Sequence, residues 1–297
     1  MLQAATRGST LARLQTDLVA KLLAVDVEPV VVETRGDRNP DVEIWAMGGQ
    51  GVFVKEVQAA VLDGRADFAV HSAKDLPSVP APGLVIAAVP ERADPRDALV
   101  GSTLEGLPVG ARVATGSARR RAQLAHHRPD LTFAGLRGNI ETRLQKATRF
   151  DAIVVAAAAL QRLSRLDVIA ELIDPDIVLP QVAQGALAVE CREDDESTRA
   201  LLGAIEHDES RLAVDAERAW LRGIGSGCDL PVGAYATVRA ETITLTAVLG
   251  SLDGRVLLRT RGEGRDANEL GGRLARDLLD GAGGRALLSD VQLEEAT

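Results

Sequence analysis

Through the first two-thirds of the chain the apolar positions switch between strand-like alternation and helix-like spacings of three and four. Residues 2–6 form a strand-like run, after which Leu11, Leu14, Leu18, Leu22 and Leu23 share one helix face. Ser9 or Thr10 can cap that helix, because a side-chain oxygen there accepts backbone N–H groups with no partner inside it. A strand at 29–33, a helix near 52–62 closed by Gly64, and strands at 67–71 and 84–89 follow. The pattern resumes with a strand at 112–115, a helix at 118–126, a strand at 131–136, a helix starting near Asn139 and a strand at 152–156. Such alternation predicts α/β units with mostly parallel sheets.

Two stretches read as boundaries: the Pro- and charge-rich 90–97, and 175–180 ahead of a strand-like run at 186–191. Beyond Val232 the character changes. Strands at 232–240, 242–249 and 256–261 are separated by turn residues, Asp253-Gly254 among them, and a helical stretch at 267–279 follows. This predicts a small α+β unit that begins with a helix around 212–221. No internal repeat stands out.

Composition narrows the class. A chain of 297 residues suffices for two or three domains, and 46% hydrophobic residues can fill their cores. Only 2% are aromatic, which argues against a surface that stacks bases. The longest purely apolar run, 152–160, is far short of a membrane span, and the N-terminus shows no secretory pattern. Two cysteines without a CxxC spacing argue against a disulfide scaffold or zinc ribbon. The expectation is a cytoplasmic protein without a metal. Net charge is −9, yet residues 112–165 carry +8, leaving −17 on the rest. Single arginines are commonly solvated, but this local excess points to an anion site rather than to nucleic acid.

Cys228 lies in Gly225-Ser226-Gly227-Cys228-Asp229-Leu230-Pro231, whose glycines and proline mark a loop with a reachable thiol. Cys191 ends an apolar run and reads as a small buried hydrophobe. A reachable thiol is a candidate nucleophile. A lone loop cysteine is more commonly incidental, and no motif marks His71, His126, His127 or His207 as its partner. Asp75, in His71-Ser72-Ala73-Lys74-Asp75-Leu76-Pro77, sits where a strand runs into a loop, the usual ligand position in α/β proteins. The Lys74–Asp75 pair has a bland reading as a surface ion pair. Its functional reading is a carboxylate that stabilises a cation. Unit charges ~4 Å apart at an effective dielectric of ~20 attract by about 4 kcal/mol, on the order of a thousandfold in rate if realised only in the transition state.

The arginines recur at helix starts. Thr115-Gly116-Ser117-Ala118-Arg119-Arg120-Arg121 follows a strand and opens a helix, and Leu136-Arg137-Gly138-Asn139, with Arg143 beyond, repeats the arrangement. Free N–H groups, the Ser117 hydroxyl and bidentate guanidiniums together suit carboxylates or phosphates. Gly48-Gly49-Gln50-Gly51-Val52-Phe53-Val54-Lys55 is another glycine-rich helix entry, without the Gly-Lys-Ser/Thr ending of a P-loop. It fits a mobile cover or a plain connection equally.

As an ordered set these segments resemble the hydroxymethylbilane synthase (porphobilinogen deaminase) family. The set comprises Ala5-Thr6-Arg7-Gly8-Ser9, Thr34-Arg35-Gly36-Asp37, Gly51-Val52-Phe53-Val54-Lys55-Glu56, the run through Lys74-Asp75, Asp94-Pro95-Arg96-Asp97-Ala98, Leu136-Arg137-Gly138-Asn139, Gln184-Gly185-Ala186, Glu190-Cys191-Arg192, and Gly227-Cys228 before Pro231-Val232-Gly233. The resemblance spans about residue 3 to about 280 and implies an α/β fold: two periplasmic-binding-protein-like α/β domains with a cleft between them, plus a small α+β C-terminal domain. Their limits would be 1–92 with 186–205, then 93–185, then 206–297. It implies a monomeric transferase that joins four porphobilinogen molecules head to tail, losing ammonia, to give hydroxymethylbilane. It further implies a dipyrromethane cofactor held by a thioether to Cys228. By motif position Asp75 and Lys74 would be catalytic. Ser72, Lys74, Asp75, Ser117, Arg119, Arg120 and Arg143 would bind the cofactor. Arg7, Ser9, Lys55, Arg137, Arg143 and Arg162 would bind the substrate or growing chain.

Three positions depart from the family pattern: Gln50 for a common lysine, Gly116 within Thr115-Gly116-Ser117-Ala118, and Ala183 before Gln184-Gly185. They bear on affinity and loop behaviour rather than on the reaction. The rival of another class is a binding-only protein that captures a small acid in an arginine-lined cleft and needs neither Cys228 nor Asp75. A nucleic-acid binder would show steep salt dependence through counterion release. A phosphate transferase lacks a Walker motif.

Overall fold

The computed structural model describes residues 1–38, 51, 53–225 and 230–295. The chain opens with strand β1 (Leu2–Arg7), helix α1 (Thr10–Leu23), strand β2 (Val27–Val32), the short helix α2 (Arg35–Arg38), helix α3 (Lys55–Leu62) and strands β3 (Phe68–Ser72) and β4 (Leu84–Ala88). A second group comprises β5 (Asp97–Val100), β6 (Arg112–Ala114), α4 (Ala118–His127), β7 (Thr132–Ala134), α5 (Ile140–Lys146), β8 (Ala152–Ala156), α6 (Ala157–Arg162) and β9 (Glu171–Leu172). Strand β10 (Leu187–Arg192) and helix α7 (Glu196–Gly203) lead to α8 (Asp208–Ile224), β11 (Val232–Arg239), β12 (Thr242–Gly250), β13 (Leu257–Gly264), α9 (Ala267–Arg276) and α10 (Gly284–Glu295).

The strands form three sheets, ordered β2-β1-β3-β10-β4, β7-β6-β8-β5-β9 and β11-β12-β13. The third is antiparallel throughout. The expectation of mostly parallel sheets needs refinement, because each five-stranded sheet is mixed. β10 runs antiparallel to β3 and β4, and β5 runs antiparallel to β8 and β9. Both are the strands the chain enters directly after passing from one sheet to the other. Leu187 starts β10 opposite Ser72 at the end of β3, and Asp97 starts β5 opposite Ala156 at the end of β8. A chain that arrives at the carboxyl ends of parallel strands has to run against them. The two sheets thus share one topology, although no repeat is visible in the residues.

The passages between the sheets lie side by side, with the Ala93 N–H donating to the Gly185 carbonyl at 3.2 Å. Gly185 has φ +90°, and a Cβ there would lie 2.5 Å from the Ala93 carbonyl oxygen. Ala183, one of the three departures, also adopts positive φ, at 59°.

Helix α1 is where expected, and Ser9 caps it by accepting the Ala12 N–H. Its buried face differs from the leucine stripe: Ala12, Gln15, Thr16, Val19 and Leu23 point inward, while Leu14, Leu18 and Leu22 are 37%, 40% and 48% exposed. The inner face carries short and polar residues because α1 lies close against β3, where Gln15 has a polar partner. In the third unit β11–β13 pack against α8 and α9 around Trp220, Ile243, Leu245, Leu270 and Leu274. A Cβ on Gly271 would sit 2.5 Å from the Ala216 carbonyl, so only glycine permits that helix crossing. The Asp253-Gly254 turn reaches α4, where His126 Nδ1 lies 3.0 Å from the Gly254 carbonyl oxygen. No described helix is long and apolar enough to cross a membrane.

Candidate active site

The residues at the carboxyl end of β3 form the first wall of the site. Ala73–Asp75 make one 3₁₀ turn, and Leu76 returns to extended backbone, as a residue before proline prefers. Ser72 Oγ accepts from Gln15 Nε2 at 2.8 Å, which ties this turn to α1. Lys74 Nζ donates to Gln184 Oε1 at 3.3 Å. Burial pushes the Lys74 ammonium down to about 8. Asp75 and Asp97 oppose that shift, and Arg120 and Arg119 add to it. Asp75 beside it is half-buried.

The second sheet supplies the facing wall. Ser117 caps α4, its Oγ accepting the Arg120 N–H at 3.4 Å. Arg119 Nη1 donates to Asp97 Oδ2 at 2.8 Å and to the Leu179 carbonyl at 2.6 Å. Arg120 reaches the other oxygen, with Nε and Nη2 donating to Asp97 Oδ1 at 3.0 and 2.7 Å. All three are nearly or fully buried. Burial alone would raise the Asp97 carboxyl, but the two guanidiniums outweigh it and hold the group well below the usual carboxylate range.

Asn139 caps α5 by accepting the Thr142 N–H at 2.8 Å, and α5 carries Arg143, whose Nε donates to the Gly138 carbonyl at 2.8 Å. Burial, followed by repulsion from Arg120 and Arg137, pushes Arg143 down to about 10, with Asp75 opposing. Lys74, Asp75, Arg119, Arg120, Arg137 and Arg143 therefore share one electrostatic neighbourhood, contributed from both sheets. At the end of α6, Arg162 Nη2 donates to the Gly185 carbonyl at 2.7 Å while its Nε is buried without a partner. Burial pushes this guanidinium down to about 10 as well.

Other expected residues have different surroundings. Arg7 donates from Nε to Asp37 Oδ2 at 3.2 Å, pairs with Asp37 through Nη2, and stacks over Phe53 with 4.1 Å to the ring centroid. Ser9 caps α1, and Lys55 is an exposed residue that opens α3. Cys228 and Gln50 lie outside the described residues. Cys191 is fully buried in β10, the small buried hydrophobe expected, and burial pushes its thiol up to about 11.

Sequence reasoning passed over Asp97, Gln184, Arg92 and Glu217. Arg92 donates twice to Glu217, at 2.6 and 3.1 Å, and Glu217 also accepts the N–H groups of Ala183 and Ala236 at 2.6 and 2.8 Å. One signal was available: Glu217 stands on a helix face otherwise occupied by Ala213, Ala216 and Trp220, and an acid there requires a buried partner.

Crowded cations that outnumber the acids Asp75 and Asp97, together with an unpartnered buried guanidinium nitrogen, form a donor set with positive charge to spare. Such a set fits the acetate and propionate groups of a dipyrromethane. The comparisons with known proteins agree. The family model "Porphobilinogen deaminase, dipyromethane cofactor binding domain" matches residues 2–200, and "Porphobilinogen deaminase, C-terminal domain" matches 211–280. The chain is 48% identical over 295 residues to the porphobilinogen deaminase of Roseiflexus sp. (strain RS-1), covering 96% of this chain and 97% of that one. It is 46% identical over 290 residues to that of Brevibacillus brevis, covering 94% of each. Among solved structures, the BvgS VFT2 domain of Bordetella pertussis aligns with 70% of this chain and 89% of its own, at 17% identity and a TM-score of 0.40. The chain belongs to the porphobilinogen deaminase family, transferases that use a dipyrromethane cofactor to make hydroxymethylbilane in tetrapyrrole biosynthesis.

Proposed function

We propose a division of labour among this chain's residues for joining four porphobilinogen molecules head to tail, with loss of ammonia. Cys228 anchors the dipyrromethane through its sulfur. Ser72, Lys74, Ser117, Arg119, Arg120 and Arg143 hold the carboxylates of that group, which supplies the pyrrole from which the chain is extended. Arg7, Ser9, Lys55, Arg137 and Arg162, together with Arg143, grip the carboxylates of incoming substrate and growing product. Asp75 accepts hydrogen bonds from pyrrole N–H groups and offsets the positive charge that develops on the substrate as ammonia leaves. Lys74, next to Asp75 on the same turn, adds its ammonium to the charges that face the substrate.

The observation that carries this reading is the shared electrostatic neighbourhood of the Lys74-Asp75 turn from the first sheet and Arg120, Arg137 and Arg143 from the second. The cations exceed the acids there, as a polycarboxylate substrate requires. The domain limits 1–92 with 186–205, 93–185 and 206–297 belong to the same reading, supported by the distribution of strands over three sheets. So do a cytoplasmic location, a monomeric state and the absence of a nucleic-acid partner.

Intact mass of the purified protein beside its Cys228→Ala variant tests the assignment. The expected result is an added mass of two substrate-derived pyrrole units that the variant lacks. A protein that stays unmodified after incubation with porphobilinogen overturns it.

A further inference from the structure

Gln184 occupies the passage from the second sheet back to the first and is fully buried. Its carboxamide is used from both ends. Oε1 accepts from Lys74 Nζ at 3.3 Å, while Nε2 donates to Asp97 Oδ1 and to the Pro95 carbonyl, both at 2.8 Å. Partner chemistry dictates this orientation, because an ammonium needs an acceptor whereas a carboxylate and a carbonyl need donors. Its backbone is equally engaged, the carbonyl accepting from Arg92 Nε at 2.8 Å. Gly185 on its C-terminal side is confined by the Ala93 carbonyl, and Ala183 on the other side is fixed by Glu217, so the amide has little room to shift.

We infer that Gln184 is a positioning residue for the reaction, its amide linking the Lys74 ammonium of one lobe to the Asp97–Arg119–Arg120 cluster of the other and keeping Lys74 charged and aimed into the cleft. The inference rests on the reading that Lys74 holds carboxylates there. Lys74 is faced by Asp75 on its own turn, Asp97 on β5, and Arg119 and Arg120 on α4. The two arginines and burial disfavour its charge, and the neutral acceptor at 3.3 Å acts in the opposite direction together with the two carboxylates. Because the amide sits where the chain crosses, its hydrogen bonds to Lys74 and to Asp97 are made together only when the lobes hold the relation seen here.

The test follows the Lys74 amine directly, by NMR titration of lysine-labelled holoenzyme, in the wild type, Gln184→Met and Gln184→Glu. Methionine fills the space without an acceptor, and losing a hydrogen bond to a charged group lowers the amine pKa by about one unit or more. Glutamate restores an acceptor: protonated, it accepts from Lys74 and donates to Asp97 as the amide does, and ionised, it favours the ammonium further. Its amine is therefore expected to titrate at or above the wild-type value. The alkaline limb of kcat/KM should follow the amine, costing Gln184→Met about tenfold at pH 9. A merely structural role would lower the melting temperature of both variants alike and leave the amine in place. An amine unmoved in Gln184→Met, or lowered equally in both variants, overturns the inference. An amine that moves while the kcat/KM limb stays fixed upholds the link and overturns instead the carboxylate-holding role of Lys74.

Discussion

At the scale of single residues, buried charges that are fully engaged set the terms. Asp97 holds two guanidiniums, and replacing it by asparagine leaves both short of an anion in a water-poor interior. Breaking a buried pair from one side costs about 3–5 kcal/mol, so Asp97→Asn should lose that much stability in urea melts at pH 7. Because the folded-state pKa of Asp97 lies below its unfolded value, its stabilisation is complete above about pH 4 and is lost as pH falls through the folded value. The variant should therefore show a shallower loss of stability on acidification than the wild type. Asp75→Asn belongs at the same scale but acts on rate. It keeps the shape and removes the charge, so kcat should fall about 10²–10⁴-fold while intact mass still shows the cofactor. Of these residues Asp75 was legible in the sequence, because its motif is contiguous. Asp97 was quoted within a motif but given no role, since its partners lie more than twenty positions away.

Elements were legible in proportion to their length and their punctuation. The strand at Ala152–Ala156 and the helix beginning after Asn139 lie where alternation and capping chemistry place them. The two-residue β9 carries too few residues for any period, and β5 went unread, only its first residue, Asp97, falling in the apparent boundary at 90–97. The α1 leucine stripe shows the limit of periodicity: spacing establishes a helix, but which face turns inward depends on what the neighbouring strand presents. Helix α5 has no fully buried side chain, and Ile140, Arg143 and Leu144 are only partly covered, so its cap contributes a large share of its order. Asn139→Ala should weaken it by about 1 kcal/mol. Since α5 carries Arg143, KM should rise while kcat and the melting temperature change little, and hydrogen exchange should quicken over Ile140–Lys146. The passage between the sheets is less forgiving. Gly185→Ala places a Cβ against backbone at positive φ and should cost about 2 kcal/mol or more, read as a lowered melting temperature.

At the scale of the whole molecule, the three sheets meet at buried ion pairs, beside an apolar core that residues such as Leu76 and Ala188 share with Trp220 and Leu245. Arg92 on the outgoing passage, Ala183 on the return passage and Ala236 in β11 all meet Glu217 of α8. Glu217→Gln should destabilise by about 3–5 kcal/mol and shift the urea midpoint accordingly, because Arg92 would remain buried without its anion. What the sequence by itself determined was the kind of chemistry and the order of the parts. Contiguous motifs supply the candidate acid, cations and thiol, local spacing names the longer elements, and a glycine or a cap marks where they end. All of these depend on interactions within a few residues. Only the tertiary structure decided the rest: the polarity of β5 and β10, the inward face of α1, and the meeting of Lys74, Gln184, Asp97 and Glu217 at the crossing. Those follow from where the chain enters each sheet and from buried polar groups seeking partners far along the chain, 125 residues away for Arg92 and Glu217. No local period records such a distance.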